Sequence, residues 1–532
     1  MTLTIPFRSM YEWAFRTGQA YAEPFTDVTV RATLVAPSGG EATIEAFHDG
    51  DATWKVRFNP GETGAWSWRL ASTPPNPDFD RTGAFEVTPR ETNGFLRSTP
   101  GDGWGFTMES GEPVFIFGDT AYHLFGMAHN SSDGFEAVKR FMERRRDQGF
   151  NLLRIRVPVS AFHPVDGYNT WQTRSLWPWR GSPQSPRFDQ FDLDYFRTVD
   201  AVVAHAESLG IGIEMIMQGW GFEFPFSARN IFVAEWEELW IRYLVARYDA
   251  FSAVWFWQLQ NEYEYYPNGD WNYAGNGVAD RWAIRAAHLV RRLAPHGHFV
   301  AIHNGPRRPS FGHRFRSDPS AIDTVMFQTW GTTGEENGWL AAGIEVDIDA
   351  ALGDWPGTAV LAEWGYEFNP DLPPMMLGHR WCDANHTRRG AWRGAMRGLG
   401  IIHGFENSWG PFQELDEDQP GLAYLLLVRH FFTEIVPFAA LRPAPGLARG
   451  SDQPGHRPLA LATPDRDAVV GYLPTGGEVS VDGIGDGYAG EWFDPRTGEL
   501  APAIPGSSGR WVAPSPVSGE RPDDWVLVLR RT

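Results

Sequence analysis

Between residues 110 and 435, short apolar runs alternate with longer stretches in which apolar positions return every three or four residues. The short runs read as strands buried on both faces and the longer stretches as amphipathic helices, an alternation that predicts a parallel sheet of βα units. Eight such runs can be counted, at 114–117, 151–157, 211–217, 253–259, 299–303, 324–328, 359–362 and 401–405. Helical stretches at 134–148, 194–209, 234–248, 278–293, 383–399 and 422–434 follow most of them. Eight units in this length predict a (β/α)8 TIM barrel. A doubly wound open sheet competes, but the first run leads into Phe117-Gly-Asp-Thr120 without a G-x-G-x-x-G turn.

The two ends have another texture. Alternating apolar and polar positions at 28–35, 43–47, 53–58, 64–70 and 83–87, separated by Gly, Pro, Asn and Asp, predict a small β-sandwich. Runs at 468–473, 490–493 and 525–529 predict a second one. The chain therefore divides into an all-β domain over 1–92, a barrel over 93–438 and an all-β domain over 439–532.

Composition narrows the chemistry. The 532 residues include a single cysteine, Cys382, so neither an intrachain disulfide nor a multi-thiolate zinc site can form. A net charge of -20 with no basic run argues against nucleic acid and anionic membranes as partners. No uninterrupted apolar segment is long enough to span a bilayer, and 1–15 has no signal-peptide pattern, so the expected location is cytoplasmic. Self-association is left open. Only two lysines occur, Lys55 and Lys139.

Chemistry in such barrels sits at the C-terminal ends of the strands. Glu262, preceded by Asn261, follows the fourth run, and Glu363 follows the seventh. They are 101 residues apart, close to the about 94 residues that three units of an average barrel occupy, so they should face each other across the mouth. Facing carboxylates suit glycosidic-bond cleavage: one donates a proton to the leaving oxygen, and the other attacks the anomeric carbon or activates water. Separations of about 5–5.5 Å belong to retaining enzymes and about 6.5–9.5 Å to inverting ones. Glu214, Glu264 and Glu367 are neighbouring carboxylates that could be mistaken for the pair.

Four strand-end tryptophans, Trp220, Trp330, Trp364 and Trp409, can offer flat faces to sugar rings. Asp119, His123, His303 and Gln328 are candidates for hydrogen bonds to sugar hydroxyls. Two rivals remain. A metal-dependent hydrolase would draw on the 15 histidines, but the first strand lacks His-x-His and neither lysine lies near the fourth. A non-catalytic carbohydrate-binding barrel would not need the complete carboxylate pair.

The block Phe115-Ile-Phe-Gly-Asp-Thr-Ala-Tyr-His-Leu-Phe125 resembles the opening barrel strand of the apiosidase-like glycoside hydrolases. The segment from Tyr11-Glu-Trp13 to Val87 resembles the sandwich that precedes such barrels, and Glu491-Trp-Phe-Asp-Pro-Arg-Thr-Gly498 with Trp525-Val-Leu-Val-Leu529 resembles the collagen-binding-type module that follows them. Asn261-Glu262 and Glu363 also match the retaining superfamily called clan A, although apiosidase-like members commonly carry an Asp at the fourth strand. That resemblance implies Glu262 as acid/base, Glu363 as nucleophile, Asn261 as donor to the sugar 2-hydroxyl, and Arg156 beside the nucleophile with Arg154 in reserve. It further implies a retaining, exo-acting enzyme on plant or microbial oligosaccharides, with pentose or furanose linkages in view, an endo-acting polysaccharidase being the alternative. No metal or organic cofactor is implied.

Overall fold

Eight parallel strands close into a barrel in sequence order: β1 (Phe117–Thr120), β2 (Leu152–Arg156), β3 (Gly212–Ile216), β4 (Val254–Gln258), β5 (Phe299–His303), β6 (Thr324–Gln328), β7 (Thr358–Glu363) and β8 (Gly400–His403). The computed structural model describes all residues except 1–2, 101–104, 131–132, 159–177, 183–184, 219–232, 267–276, 306–309, 330–337, 369–381, 406–417, 454, 485–486, 507–509 and 516–520. Helices surround the strands: α1 (Leu124–Asn130), α2 (Gly134–Asp147), α3 (Leu193–Leu209), α4 (Ala234–Tyr248), α5 (Val278–Leu293), α6 (Ala342–Leu352), α7 (Ala384–Ala395) and α8 (Pro420–His430). Local chemistry sets their limits. Asp192 caps α3 by accepting from the amides of Asp194 and Tyr195, and Gly210 ends it at φ 70°.

One strand lies later in the chain than its apolar run predicts. Pro113–Val114 belongs to a three-stranded antiparallel sheet with Phe106–Met108 and Leu96–Ser98, and only from Phe117 does the chain enter the barrel. The run at 114–117 thus spans two elements. Gly118-Asp119-Thr120 lies within β1, fully buried: Gly118 and Thr120 share the inward parity of their partners Leu152 and Arg154, whereas Asp119, paired with Leu153, faces the helices, where Arg145 of α2 meets it.

That interior has two levels. Leu152, Phe256, Ala301, Met326, Val360, Ala362 and Ile402 form an apolar cluster, and Leu96 and Phe106 join it from below. Two residues further along their strands the same inward face carries Arg154, Gln258, His303 and Gln328, all buried. The alternate positions, among them Leu153, Ile213, Val300, Val325, Leu361 and Ile401, join the large cluster shared with the helices. At the top of β7 the register slips, so that Gln328 pairs with Glu363 where regular pairing would meet Ala362. An irregularity of this kind re-aims side chains. It brings Glu363 inward directly after the inward-facing Ala362.

The N-terminal domain has its own apolar core, built from a five-stranded and a three-stranded sheet. It is fastened to the barrel by Arg57, which bonds Asp200 and the Arg247 carbonyl, and by Asn59, which bonds the Ala250 carbonyl. The C-terminal domain has a six-stranded sheet buried on both faces. Leu461, Val470, Tyr472, Phe493 and Val528 pack into the barrel's outer cluster, while Val469, Leu473, Trp492, Leu527 and Leu529 form a separate core. Trp392 of α7 stacks on Tyr472 at 5.7 Å, and Arg388 of α7 pairs with the buried Asp524 at 2.8 Å.

Candidate active site

Glu262 and Glu363 meet at one amide. The Gln328 Nε2 donates to Glu262 Oε1 at 3.1 Å and to Glu363 Oε2 at 2.6 Å. Two carboxylate acceptors can be met only by the nitrogen end of that side chain, which carries two N–H groups, and sharing one nitrogen at these distances keeps the two oxygens less than about 6 Å apart. Gln328 is itself fixed by Asn304, whose Oδ1 accepts its backbone N–H at 2.7 Å. Glu262 adopts a left-handed backbone conformation, φ 49°, uncommon for a residue with a side chain. Its N–H donates to the His303 Nδ1 at 3.2 Å, and the His303 Nε2 lies 3.3 Å from Glu363 Oε1. One imidazole therefore ties the backbone of one carboxylate to the side chain of the other.

The guanidinium beside Glu363 is that of Arg154. Its Nη1 donates to Glu363 Oε1 at 2.7 Å and to the Tyr122 hydroxyl, its Nη2 to Asn261 Oδ1, and its Nε to Glu214 Oε1 at 3.1 Å. Arg156, expected in this place, instead lies over the Tyr122 ring and within 3.1 Å of the His123 Nε2. Both arginines occupy the inward face of β2 and differ only in depth. The deeper one, in register with Glu214, reaches Glu363. Tyr122 adds a second donor to Glu363 Oε1 at 2.6 Å.

Burial alone would raise the Glu363 carboxyl, but the opposing charges hold it well below the usual carboxylate range. Burial and the neighbouring Arg154 push His303 down to about 4, so it is neutral near pH 7 and Arg154 is the cation that keeps Glu363 ionised. Glu214 goes the other way. Burial, reinforced by the charge on Glu363, pushes it up to about 7 against the pull of Arg154.

Other expected residues lie elsewhere. Asp119 accepts from the Arg145 Nε of α2 at 2.6 Å and faces His403 at 3.3 Å, which engages both its oxygens away from the carboxylate pair. Burial pulls His403 down, but its bonds to Asp119 and Glu367 win and raise it to about 9. Trp364 is buried in the outer cluster, and a Cβ at Gly390 of α7 would collide with its indole. With Glu363 turned inward, its neighbour faces the helices. Trp220, Trp330 and Trp409 lie outside the described residues. Glu264 pairs with Arg314 at 2.6 Å and accepts the Gly305 N–H, and Glu367 accepts the Gly421 N–H. These two carboxylates serve the scaffold.

Sequence reasoning missed Tyr122, although it adjoins the candidate His123. Glu214 carried a signal that was read only as a distraction: a lone acid inside the apolar Ile211-Gly-Ile-Glu-Met-Ile216. Among the described residues, no three His, Cys, Asp or Glu side chains are grouped to hold a metal, and no helix is long and apolar enough to cross a membrane.

Comparison with known families places residues 102–422 on a model described as "Apiosidase-like, catalytic domain". Residues 9–73 match a "Domain of unknown function (DUF5060)" and residues 444–530 a "Putative collagen-binding domain of a collagenase". No curated protein matches. Among solved structures, a "putative glycoside hydrolase" from Bacteroides vulgatus is similar over 100% of both chains, with 18% identity and a TM-score of 0.73. A glycoside hydrolase family 5 protein from the same organism is similar over 82% of this chain and 94% of its own, with 18% identity and a TM-score of 0.59. At these identities the structural likeness speaks to fold.

Proposed function

The chain belongs to the apiosidase-like catalytic-domain family and is a glycoside hydrolase, and on that premise we propose that it cleaves its substrate by retaining double displacement with Glu363 as nucleophile and Glu262 as acid/base. The observation that carries the reading is the single Gln328 nitrogen bonded to both carboxylates. A separation below about 6 Å is shorter than the about 6.5–9.5 Å that an inverting enzyme needs to seat a water, and this supports retention.

Glu363 Oε1 already accepts from Tyr122 and Arg154, so Oε2 is the oxygen that attacks the anomeric carbon. Glu262 gives its proton to the departing oxygen in the same step. In the second step Glu262 takes a proton from water, and that water displaces Glu363. Asn261, its carbonyl held by Arg154, is the residue we assign to the sugar 2-hydroxyl. On the apiosidase likeness we extend the reading to terminal pentose or furanose units of plant or microbial oligosaccharides, removed by exo action, with endo action on a polysaccharide as the alternative.

A panel of aryl pyranosides and furanosides identifies the glycone, and NMR of the first-formed sugar reads its anomer. We expect retention at the anomeric carbon and loss of turnover in Glu363→Gln. An inverted first product would overturn the nucleophile role.

A further inference from the structure

We propose that Glu214 is a positioning residue for the first, bond-breaking step: acting through Arg154, it aligns the guanidinium that faces Glu363 and shares its charge. The proposal rests on the assignment of Glu363 as nucleophile. Glu214 lies in the middle of β3, fully buried, and bonds neither Glu262 nor Gln328. Among the described residues, its hydrogen bond toward the reaction is the one from Arg154.

Each nitrogen of that guanidinium has an acceptor: Glu214 for Nε, Glu363 and Tyr122 for Nη1, and Asn261 for Nη2. A planar fork held at every nitrogen cannot turn without breaking a buried bond. Glu214 supplies the one acceptor that takes no other part at the carboxylate pair. It therefore anchors the fork from outside.

Charge gives the second reason. Two carboxylates share one guanidinium, and attack converts Glu363 from an anion into an ester. Without another anion, Arg154 would then be a buried cation without a counter-charge, which is costly. Glu214 is that anion. By drawing part of the guanidinium's charge in the free enzyme it also leaves Glu363 less tightly stabilised and so more reactive. The charged groups that reach Glu214 are Arg154 from β2 and Glu363 from β7, while its partner in β4, Phe256, is neutral. Its displacement toward neutral pH places the hand-over of charge in an accessible range.

The test uses the full chain and a 2,4-dinitrophenyl glycoside of the sugar that the panel identifies. Glu214→Gln keeps the acceptor and removes the charge. We expect kcat/KM, which reports the first step, to fall about 10- to 100-fold while kcat, limited by hydrolysis of the glycosyl-enzyme, changes by less than about 3-fold. An unchanged kcat/KM would overturn the proposal, as would equal losses in kcat and kcat/KM with a lowered melting temperature. The wild-type pH profile tests it without a variant: kcat/KM should fall as pH drops through about 7, because protonated Glu214 returns the whole charge of Arg154 to Glu363. A level profile there refutes it. Glu363→Gln separates the two readings: an active Glu363→Gln removes the nucleophile and this proposal together, whereas an inactive one beside a silent Glu214→Gln removes this proposal alone.

Discussion

Replacing Arg154 by methionine and by lysine separates the charge of the guanidinium from its geometry. The methionine variant leaves Glu363 and Glu214, 5% and 0% exposed, without their shared cation. Breaking a buried pair in this way costs about 3–5 kcal/mol, so the barrel's thermal transition should fall by about 5 °C. Glu214, already raised toward neutral pH, takes up a proton first, and Glu363 loses the cation that holds and orients it. Lysine keeps a positive charge but brings three N–H donors to the four acceptors that Arg154 serves. One acceptor stays unmet, and Asn261 and Glu363 lose their common reference. A loss of about 2–4 kcal/mol in transition-state binding, roughly 30- to 1,000-fold in kcat/KM, follows. The assay is hydrolysis of the active aryl glycoside, with thermal melting followed in parallel. An Arg154→Lys variant within about threefold of wild type, or an Arg156→Lys variant impaired as severely, would refute the assignment of these two arginines.

Two further outcomes follow from the surrounding ion pairs. Glu264→Gln should keep kcat within about threefold and lower the barrel's stability by about 1–3 kcal/mol, because Glu264 serves Arg314 and Gly305 rather than the reaction; a loss of turnover as deep as that of Glu262→Gln would move the acid/base role. His403, raised to about 9 by Asp119 and Glu367, contributes stability that is complete below about 6.5 and is lost as pH rises through about 9. Melting temperatures of wild type should therefore decline over that window and those of His403→Gln should not; parallel curves would contradict the charged pairing.

The sequence shows the barrel because strands buried on both faces and helices buried on one produce different apolar periods, and eight repeats of that contrast leave few alternatives. Glu262 and Glu363 are visible as acids that follow apolar runs directly. Depth inside the barrel is not visible in the same way. Arg154 and Arg156 share a face of β2, and the period of two that brings both inward says nothing about which level meets Glu363. The register slip at the end of β7 is also hidden, since it depends on pairing with β6, yet it decides that Glu363 faces the site and Trp364 the helices. A third feature is hidden as well: a continuous apolar run at 114–117 conceals the passage from a small antiparallel sheet into the barrel, so that β1 extends to Thr120 and Asp119 falls on the face turned to the helices.

The C-terminal sheet, covered on both sides, constrains how this architecture can be recombined. Detaching it would uncover Trp392 and Phe431 and strand Arg388 without Asp524. The same helix α7 packs Gly390 against Trp364, the residue adjoining Glu363. A replacement module grafted at this end must bring a sheet whose apolar face fits α7, or the strand bearing Glu363 loses its backing. The ancillary domain and the hydrolytic barrel therefore have to be engineered as a single unit.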